Sequence, residues 1–244
     1  MWNGARFWID PVSVFGLSML KNREFEKPLT IAVTTLLRPG DSFVDVGANE
    51  GYFSILAAQK VGVDGRVLAI EPQQRLRSVL ERNIRTNSLT NVEIASLALA
   101  DKEGKALLYL RPSTNTGASS LTRHWKLGHS AKEVRTTTLD QLLEKGNFGT
   151  VRMAKVDCEG AESLVISGAG DALAKHRIEI LVIDYHPQIV GAEKCRCAHS
   201  QIIAAGYEAA VCNGLLFYFI ASAKDDLNEL GLLGAAPAWL QHFD

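Results

Sequence analysis

The sequence is short of several things, and each shortage closes off a class of protein. Only four cysteines occur in 244 residues, Cys158, Cys195, Cys197 and Cys212, and they are unevenly placed. A chain of that length buries enough core to fold without staples, so no disulfide framework is expected and a reducing, cytoplasmic setting is the default. Cys195-Arg196-Cys197 with His199 has no second pair elsewhere, which is poor spacing for zinc, and buried thiols at the start of a helix are the better reading. No apolar run is long enough for a bilayer. The stretch 12–20 is too short to span, and the first residues carry Trp2, Arg6 and Asp10 instead of the basic-then-apolar pattern of a secretory leader. Charge of one sign is lacking too. With 26 Lys+Arg against 27 Asp+Glu the formal net charge is -1, so no global positive field exists to hold a polyanion, and nucleic acid is not expected as a partner. Repeats and low-complexity tracts are absent.

What is present suits one globular domain with additions: 47% hydrophobic and 22% charged residues. The chain is organised around residues 41–54, Asp-Ser-Phe-Val-Asp-Val-Gly-Ala-Asn-Glu-Gly-Tyr-Phe-Ser. An apolar, β-branched run ends in Asp45, and Gly47 and Gly51 open directly into a helical pattern. Glycines there let backbone approach a ligand closely, and the free N–H groups of a helix start favour a polar or anionic group. A dinucleotide fingerprint would need G-x-G-x-x-G, and this loop has G-x-x-x-G. An acid just before the loop repels a pyrophosphate but suits an ammonium or sulfonium. S-adenosylmethionine is therefore the expected cofactor.

Around this stretch, strand and helix patterns alternate. Strands are expected at 43–46, 66–70, 92–99, 151–156 and 178–183, with helices at 52–60, 73–86, 137–145, 161–167 and 197–205. These βαβ units predict an α/β fold with a mostly parallel sheet. Strands 207–211 and 215–220 flank Cys212-Asn213-Gly214, a strong hairpin signal, so the sheet should end in an antiparallel hairpin. The expected organisation is an N-terminal extension over 1–38, with Phe7, Trp8, Ile9 and 12–20 giving a short strand or packing segment, and a helix at 24–37. A core domain follows over 39–220, then a tail over 221–244 in which Leu227, Leu230, Leu232, Leu233 and Trp239 are available to dock. Residues 105–110 suggest an added strand. Residues 111–135, rich in Ser, Thr, Asn and Gly and carrying His124, Trp125 and His129, suggest a lid or substrate wall.

Glu71 closes the second strand, where an acid can accept hydrogen bonds from both ribose hydroxyls. Lys155, Asp157, Glu159 and Glu162 crowd the end of another core strand, the edge at which open α/β sheets bind ligands. Asp157 can orient substrate or cofactor, Glu159 can accept a proton, and Lys155 can neutralise a charge. Glu162 also reads as a helix-start acid matched to the macrodipole. His186, before Pro187 at a strand end, is a further candidate base, or else a structural histidine. His124 and His129 are weaker candidates. Asp157, Glu159 and Asp184 would suit a magnesium ion bridging substrate hydroxyls, but their spacing does not require one and no metal ligand is assigned.

The pieces Asp45-Val-Gly-Ala-Asn-Glu-Gly-Tyr-Phe-Ser54, Ala69-Ile-Glu-Pro72, Asn91-Val92 with Ala98-Leu-Ala-Asp101, Thr138-Leu-Asp140 and Lys155-Val-Asp-Cys-Glu-Gly-Ala-Glu162 together resemble the FkbM family of S-adenosylmethionine-dependent methyltransferases. The resemblance covers roughly residues 26–184. It implies a Rossmann-like class I methyltransferase fold, O-methylation, cofactor contacts at Asp45, Gly47, Asn49 and Glu71, and a site role for Asp157 and Glu159. Ala48, Gly51 and Pro72 lie in the same two strand-end turns and join the candidate contacts. Asp101 would meet the adenine edge, unless it only starts a turn. Glu50 departs from the family, which often has an apolar residue there, and Asp184 stands where glutamate is common. The expected acceptor is a hydroxyl on a sugar or other small natural product, and a homo-oligomer is compatible with the chain. Two rivals remain. One is a catalytically silent methyltransferase-like domain that binds cofactor or a partner. The other is a nicotinamide-dependent oxidoreductase, disfavoured by the glycine spacing and the lack of a Tyr-x-x-x-Lys pair.

Overall fold

The computed structural model describes residues 4–110, 119–121, 130–212, 214–228 and 240. Its centre is a seven-stranded sheet built from β1 (Ser42–Val46), β2 (Arg66–Ile70), β3 (Val92–Ala95), β7 (Val151–Val156), β8 (Ile178–Ile183), β9 (Glu208–Cys212) and β10 (Leu215–Phe219), in the order β3-β2-β1-β7-β8-β10-β9. β10 alone is inserted backwards, antiparallel to both β8 and β9. The expected class I methyltransferase plan is thus present, with its closing hairpin folded in between β8 and the sheet edge.

Strand alternation sorts the side chains into two layers. Val44, Val46, Leu68, Ile70, Val156, Leu181 and Ile183 face one core. There they meet α5 (Leu139–Lys145), α6 (Glu162–Ser167), α7 (Gly170–Ala174) and α9 (Ala192–Ala204). Phe43, Val67, Met153, Ile180, Val182 and Phe217 face the other, against α2 (Lys27–Leu36) and α3 (Tyr52–Val61). β1 and β7 are parallel neighbours at the point where the order of strand addition switches from one side of the sheet to the other, and they leave a crevice beyond their carboxyl ends, where open α/β sheets take ligands. α4 (Gln74–Thr86) borders it through Leu76, α8 (Pro187–Val190) follows β8, and α10 (Lys224–Asn228) follows β10.

Three expectations need correcting. Residues 12–20 form no strand but most of α1 (Val14–Asn22), which packs Phe15 into the second core, and Ser13 caps it by accepting a hydrogen bond from the Gly16 amide at 2.9 Å. The run 92–99 is two strands. β3 stays in the main sheet, while β4 (Ala98–Leu99) turns away to pair with β6 (Ala131–Thr137), which also pairs antiparallel with β5 (Gly104–Tyr109). The end of the stretch 111–135 is therefore strand, not loop. Residues 111–118 and 122–129, with His124, Trp125 and His129, lie outside the described residues, as do Leu230, Leu232, Leu233 and Trp239 of the tail. No described helix is long and apolar enough to cross a membrane.

Candidate functional site

A cavity of about 210 Å³ opens at the carboxyl ends of β1, β2 and β7. Its first wall is the turn after β1. Gly47 has φ 77°, and a Cβ there would lie 1.9 Å from the Asp157 carbonyl oxygen, so only glycine lets the turn pass beneath the end of β7. Asn49 is also left-handed, at φ 52°, which turns its amide toward Glu71. Glu71 accepts that N–H at 3.0 Å on Oε2 and the Gln73 N–H at 2.8 Å on Oε1. Burial outweighs these bonds and raises its pKa to about 7. Ala48, Asn49, Glu71 and Pro72 all line the cavity. Asn49 Oδ1 and Glu50 Oε2 are buried beside it without a hydrogen-bond partner among the described residues, acceptors open to a donor from a ligand. Those orphaned acceptors, the close-passing Gly47 and the two-oxygen seat of Glu71 fit a hydroxyl-rich nucleoside ligand.

Asp45 does not reach the cavity. The alternation that sends Val44 and Val46 to one face puts Asp45 on the other, under α3, where it is fully buried. Its Oδ2 accepts from Ser54 Oγ at 2.6 Å, and its Oδ1 lies 3.3 Å from Lys155 Nζ. That pair is dictated by register, because Asp45 and Lys155 are direct neighbours across β1 and β7. Lys155 Nζ also donates to the Gly47 carbonyl at 2.8 Å and sits 3.5 Å from Asp157. Burial works against its charge, but Asp45, Asp157 and Glu26 override that and hold its pKa above the ordinary lysine value. Asp45 thus acts on the site through Lys155, which borders the cavity.

The second wall follows β7. Asp157, Cys158 and Glu159 line it, and Glu159 holds a left-handed φ of 52°. Its carbonyl accepts a short bond from Ser120 Oγ, which ties the small sheet to this turn. Glu162 is the anchor of the turn: Oε1 accepts from the Cys158 and Gly160 amides at 3.2 and 3.0 Å and from His186 Nδ1 at 3.0 Å. The His186 Nε2 then stands 3.6 Å from Glu159 and 3.9 Å from Asp157. Burial pulls the imidazole pKa down, yet the Glu162 bond and the charges of Glu162, Asp157 and Glu159 carry it up to about 9. His186 is therefore an imidazolium at neutral pH, holding acids together. Ligating atoms of Asp157, Glu162 and His186 lie within 4.8 Å of one another, with the imidazolium supplying the balancing charge. Glu159 is raised by burial to about 7, although His186 opposes the shift. Asp184, at the end of β8, is raised to about 6 by burial and by Asp157.

The third wall comes from the N-terminal segment. Phe15, Phe25, Tyr52 and Phe53 border the cavity, with Tyr52 in edge contact with Phe15, Phe25 and Phe53. The segment is fastened to α4: Asn83 Oδ1 accepts the Trp8 amide at 2.6 Å, and Arg75 pairs with Asp10 at 2.9 Å. Two carboxyls that motif reading does not single out as site residues face the cavity here, Glu26 and Glu50. Each is raised to about 7, chiefly by burial. Glu26 precedes a plain Lys-Pro helix start, and only its contact with the strand ends, far away in sequence, marks it out.

Of the sequence candidates, the fold brings Gly47, Ala48, Asn49, Glu71, Pro72, Lys155, Asp157 and Glu159 to one cavity. Asp45 and His186 sit behind its lining, and Gly51 shapes the start of α3 against Leu80. Asp101 is exposed and outside the lining. Of the paired thiols, Cys195 is buried but Cys197 is exposed, and His199 Nδ1 is engaged at 2.8 Å with the Tyr218 hydroxyl.

Comparison with known proteins agrees with this architecture. "Methyltransferase 1" of Beauveria bassiana (strain ARSEF 2860) is 34% identical over 151 residues, covering 54% of this chain and 60% of that protein. The protein-L-isoaspartate O-methyltransferase of Caenorhabditis elegans is 27% identical over 109 residues, covering 45% of each. The chain thus spans less than two thirds of these relatives. Among solved structures, a putative rRNA-methylase from Clostridium thermocellum shares the fold at a TM-score of 0.53 and 12% identity, over 80% of this chain and 95% of that one. The sequence profile of the methyltransferase FkbM domain matches residues 45–213, more than half of the chain, and the protein belongs to that family.

Proposed function

We propose that the protein transfers the methyl group of S-adenosylmethionine to a hydroxyl of a sugar or other small natural-product acceptor. The observation that carries this is the pairing, in one cavity, of a backbone-held carboxylate at one end and a carboxyl poised to titrate near neutrality at the other. When bound, the cofactor supplies an electrophilic methyl on a sulfonium, already a good leaving group. The chain's task is then alignment and proton removal.

Glu71 offers its free lone pairs to the ribose hydroxyls, and Asn49 and Glu50 offer their unpaired oxygens nearby. Glu159 takes the proton of the acceptor hydroxyl. With a pKa of about 7 it is partly ionised at neutral pH yet basic enough to accept a proton, as a general base requires. The imidazolium of His186 keeps Glu159 from rising further, so it positions the base and is not itself the base. Lys155, held by Asp45, fixes Asp157 at the boundary between the two ends. The aromatic wall of Phe15, Phe25, Tyr52 and Phe53 keeps water from the reacting atoms.

Incubation with radiolabelled S-adenosylmethionine and a panel of sugars and glycosylated natural products tests this. Label in an acceptor that disappears in Glu159→Gln is the expected result. Cofactor binding without label transfer to any acceptor would instead favour a silent cofactor-binding domain.

A further inference from the structure

Glu26 lies ahead of the segment matched by the family profile, on the N-terminal wall, and no partner among the described residues explains its carboxylate. It occupies the N-cap of α2 but caps nothing with its side chain. No side-chain hydrogen bond or ion pair holds it among the described residues. Its backbone, in contrast, is firmly set. The Phe25 amide donates to the Tyr52 hydroxyl at 3.5 Å, Thr30 Oγ1 donates to the Phe25 carbonyl at 2.6 Å, and the Thr30 amide donates to the Glu26 carbonyl at 3.0 Å. These bonds fix Glu26 at φ 43°, a left-handed conformation that a residue with a side chain adopts only where its surroundings enforce it.

We propose that Glu26 seats the ammonium group of the methyl donor, making the N-terminal segment a specificity-determining part of the cofactor site. The inference rests on the methyl-donor reading. If Glu71 holds the ribose at one side of the cavity, Glu26, Lys155 and Asp157 line the part of the same cavity that would be left for the amino-acid end of the donor. The charged groups that act most strongly on Glu26 are Asp157, Lys155, Asp184 and Asp45, at the ends of β1, β7 and β8. Lys155 cannot serve as its dedicated partner, because Gly47, Asp45 and Asp157 already engage that ammonium. Burial beside Asp157 leaves Glu26 half-neutral near pH 7. A cation arriving between Glu26 and Asp157 would be met by both carboxylates, and its arrival would expel the proton.

Calorimetric titration of the full chain with S-adenosylhomocysteine and with 5′-methylthioadenosine, which lacks the amino-acid end, tests this. Glu26→Gln should weaken S-adenosylhomocysteine binding about tenfold, the loss of one charge-assisted hydrogen bond. Affinity for 5′-methylthioadenosine should stay within about twofold of wild type, which also shows that the variant is folded. Glu26→Asp should restore part of the loss. Unchanged S-adenosylhomocysteine affinity in Glu26→Gln, or an equal loss for both ligands, overturns the assignment. A wild-type protein that binds neither ligand overturns the methyl-donor reading itself, and the role of Glu26 with it.

Discussion

The two ends of the cavity hold their carboxylates in different ways. At the β2 end, Glu71 is fixed by backbone amides of Asn49 and Gln73, donors that cannot move or change charge. At the β7 end, Glu159, Asp157 and Glu162 are arranged around one imidazole, at 3.6, 3.9 and 3.0 Å. The first arrangement suits recognition of a ligand that is always the same. The second suits proton movement, since a change at one member is felt by all. The comparison predicts that damage at Glu71 falls on binding, and damage at Glu159 and its imidazolium on turnover and its pH dependence.

The largest effect should come from Glu159→Gln. Removal of the base should lower kcat by roughly 10²–10⁴-fold, measured as initial rates at saturating cofactor, with little change in cofactor affinity. A loss confined to cofactor affinity would erase the proposed division. Next is Gly47→Ala, which combines a positive φ with a Cβ 1.9 Å from a backbone carbonyl. Urea unfolding should show a loss of about 3 kcal/mol or more, because neither backbone can give way cheaply. A fully stable variant would mean that β1 and β7 are not held together at this turn.

Much of the β2 end is legible in sequence because its determinants are local. Asp45, Gly47, Asn49 and Gly51 fall within seven residues, and the apolar run before them announces the strand. Glu71 follows from the next strand end by the same logic. The β7 end is legible only as a dense block, 155–162. That His186 bonds Glu162 and stands beside Glu159 depends on a meeting of two strand-end turns, which the order of residues does not display. Asp45 shows the opposite failure. Its motif position is plain, but strand alternation and the β1–β7 register bury it beneath Lys155. Glu26 carries no motif at all, and the break of 92–99 into β3 and β4 is imposed by pairing with a strand more than thirty residues away.

Smaller effects sharpen the contrast through pH. Glu26, Glu50, Glu71 and Glu159 have folded pKa values of about 7, above the ordinary 4.5. The folded state therefore holds more protons than the unfolded one between those values, so stability should fall as pH rises from about 5 to 7. His186 acts in the same direction. Its folded pKa of about 9 exceeds the ordinary 6.5, so its stabilising contribution is complete below pH 6.5 and is lost as pH rises through 9. Thermal melts of the ligand-free protein should drop by about 2–4 °C or more from pH 5.5 to 7.5. A flat or rising profile would contradict the buried-acid picture. The smallest change is expected from His186→Asn. Since the imidazolium lowers the Glu159 pKa, its removal should move the rising limb of the pH–rate profile, near 7 in wild type, to higher pH.

The most direct test of the division between the two ends is to titrate Glu71→Gln and Glu159→Gln with S-adenosylhomocysteine by calorimetry. Two ends with separate tasks predict at least about tenfold weaker binding for Glu71→Gln and wild-type binding for Glu159→Gln. Equal losses in both variants, or a loss in Glu159→Gln alone, would contradict it.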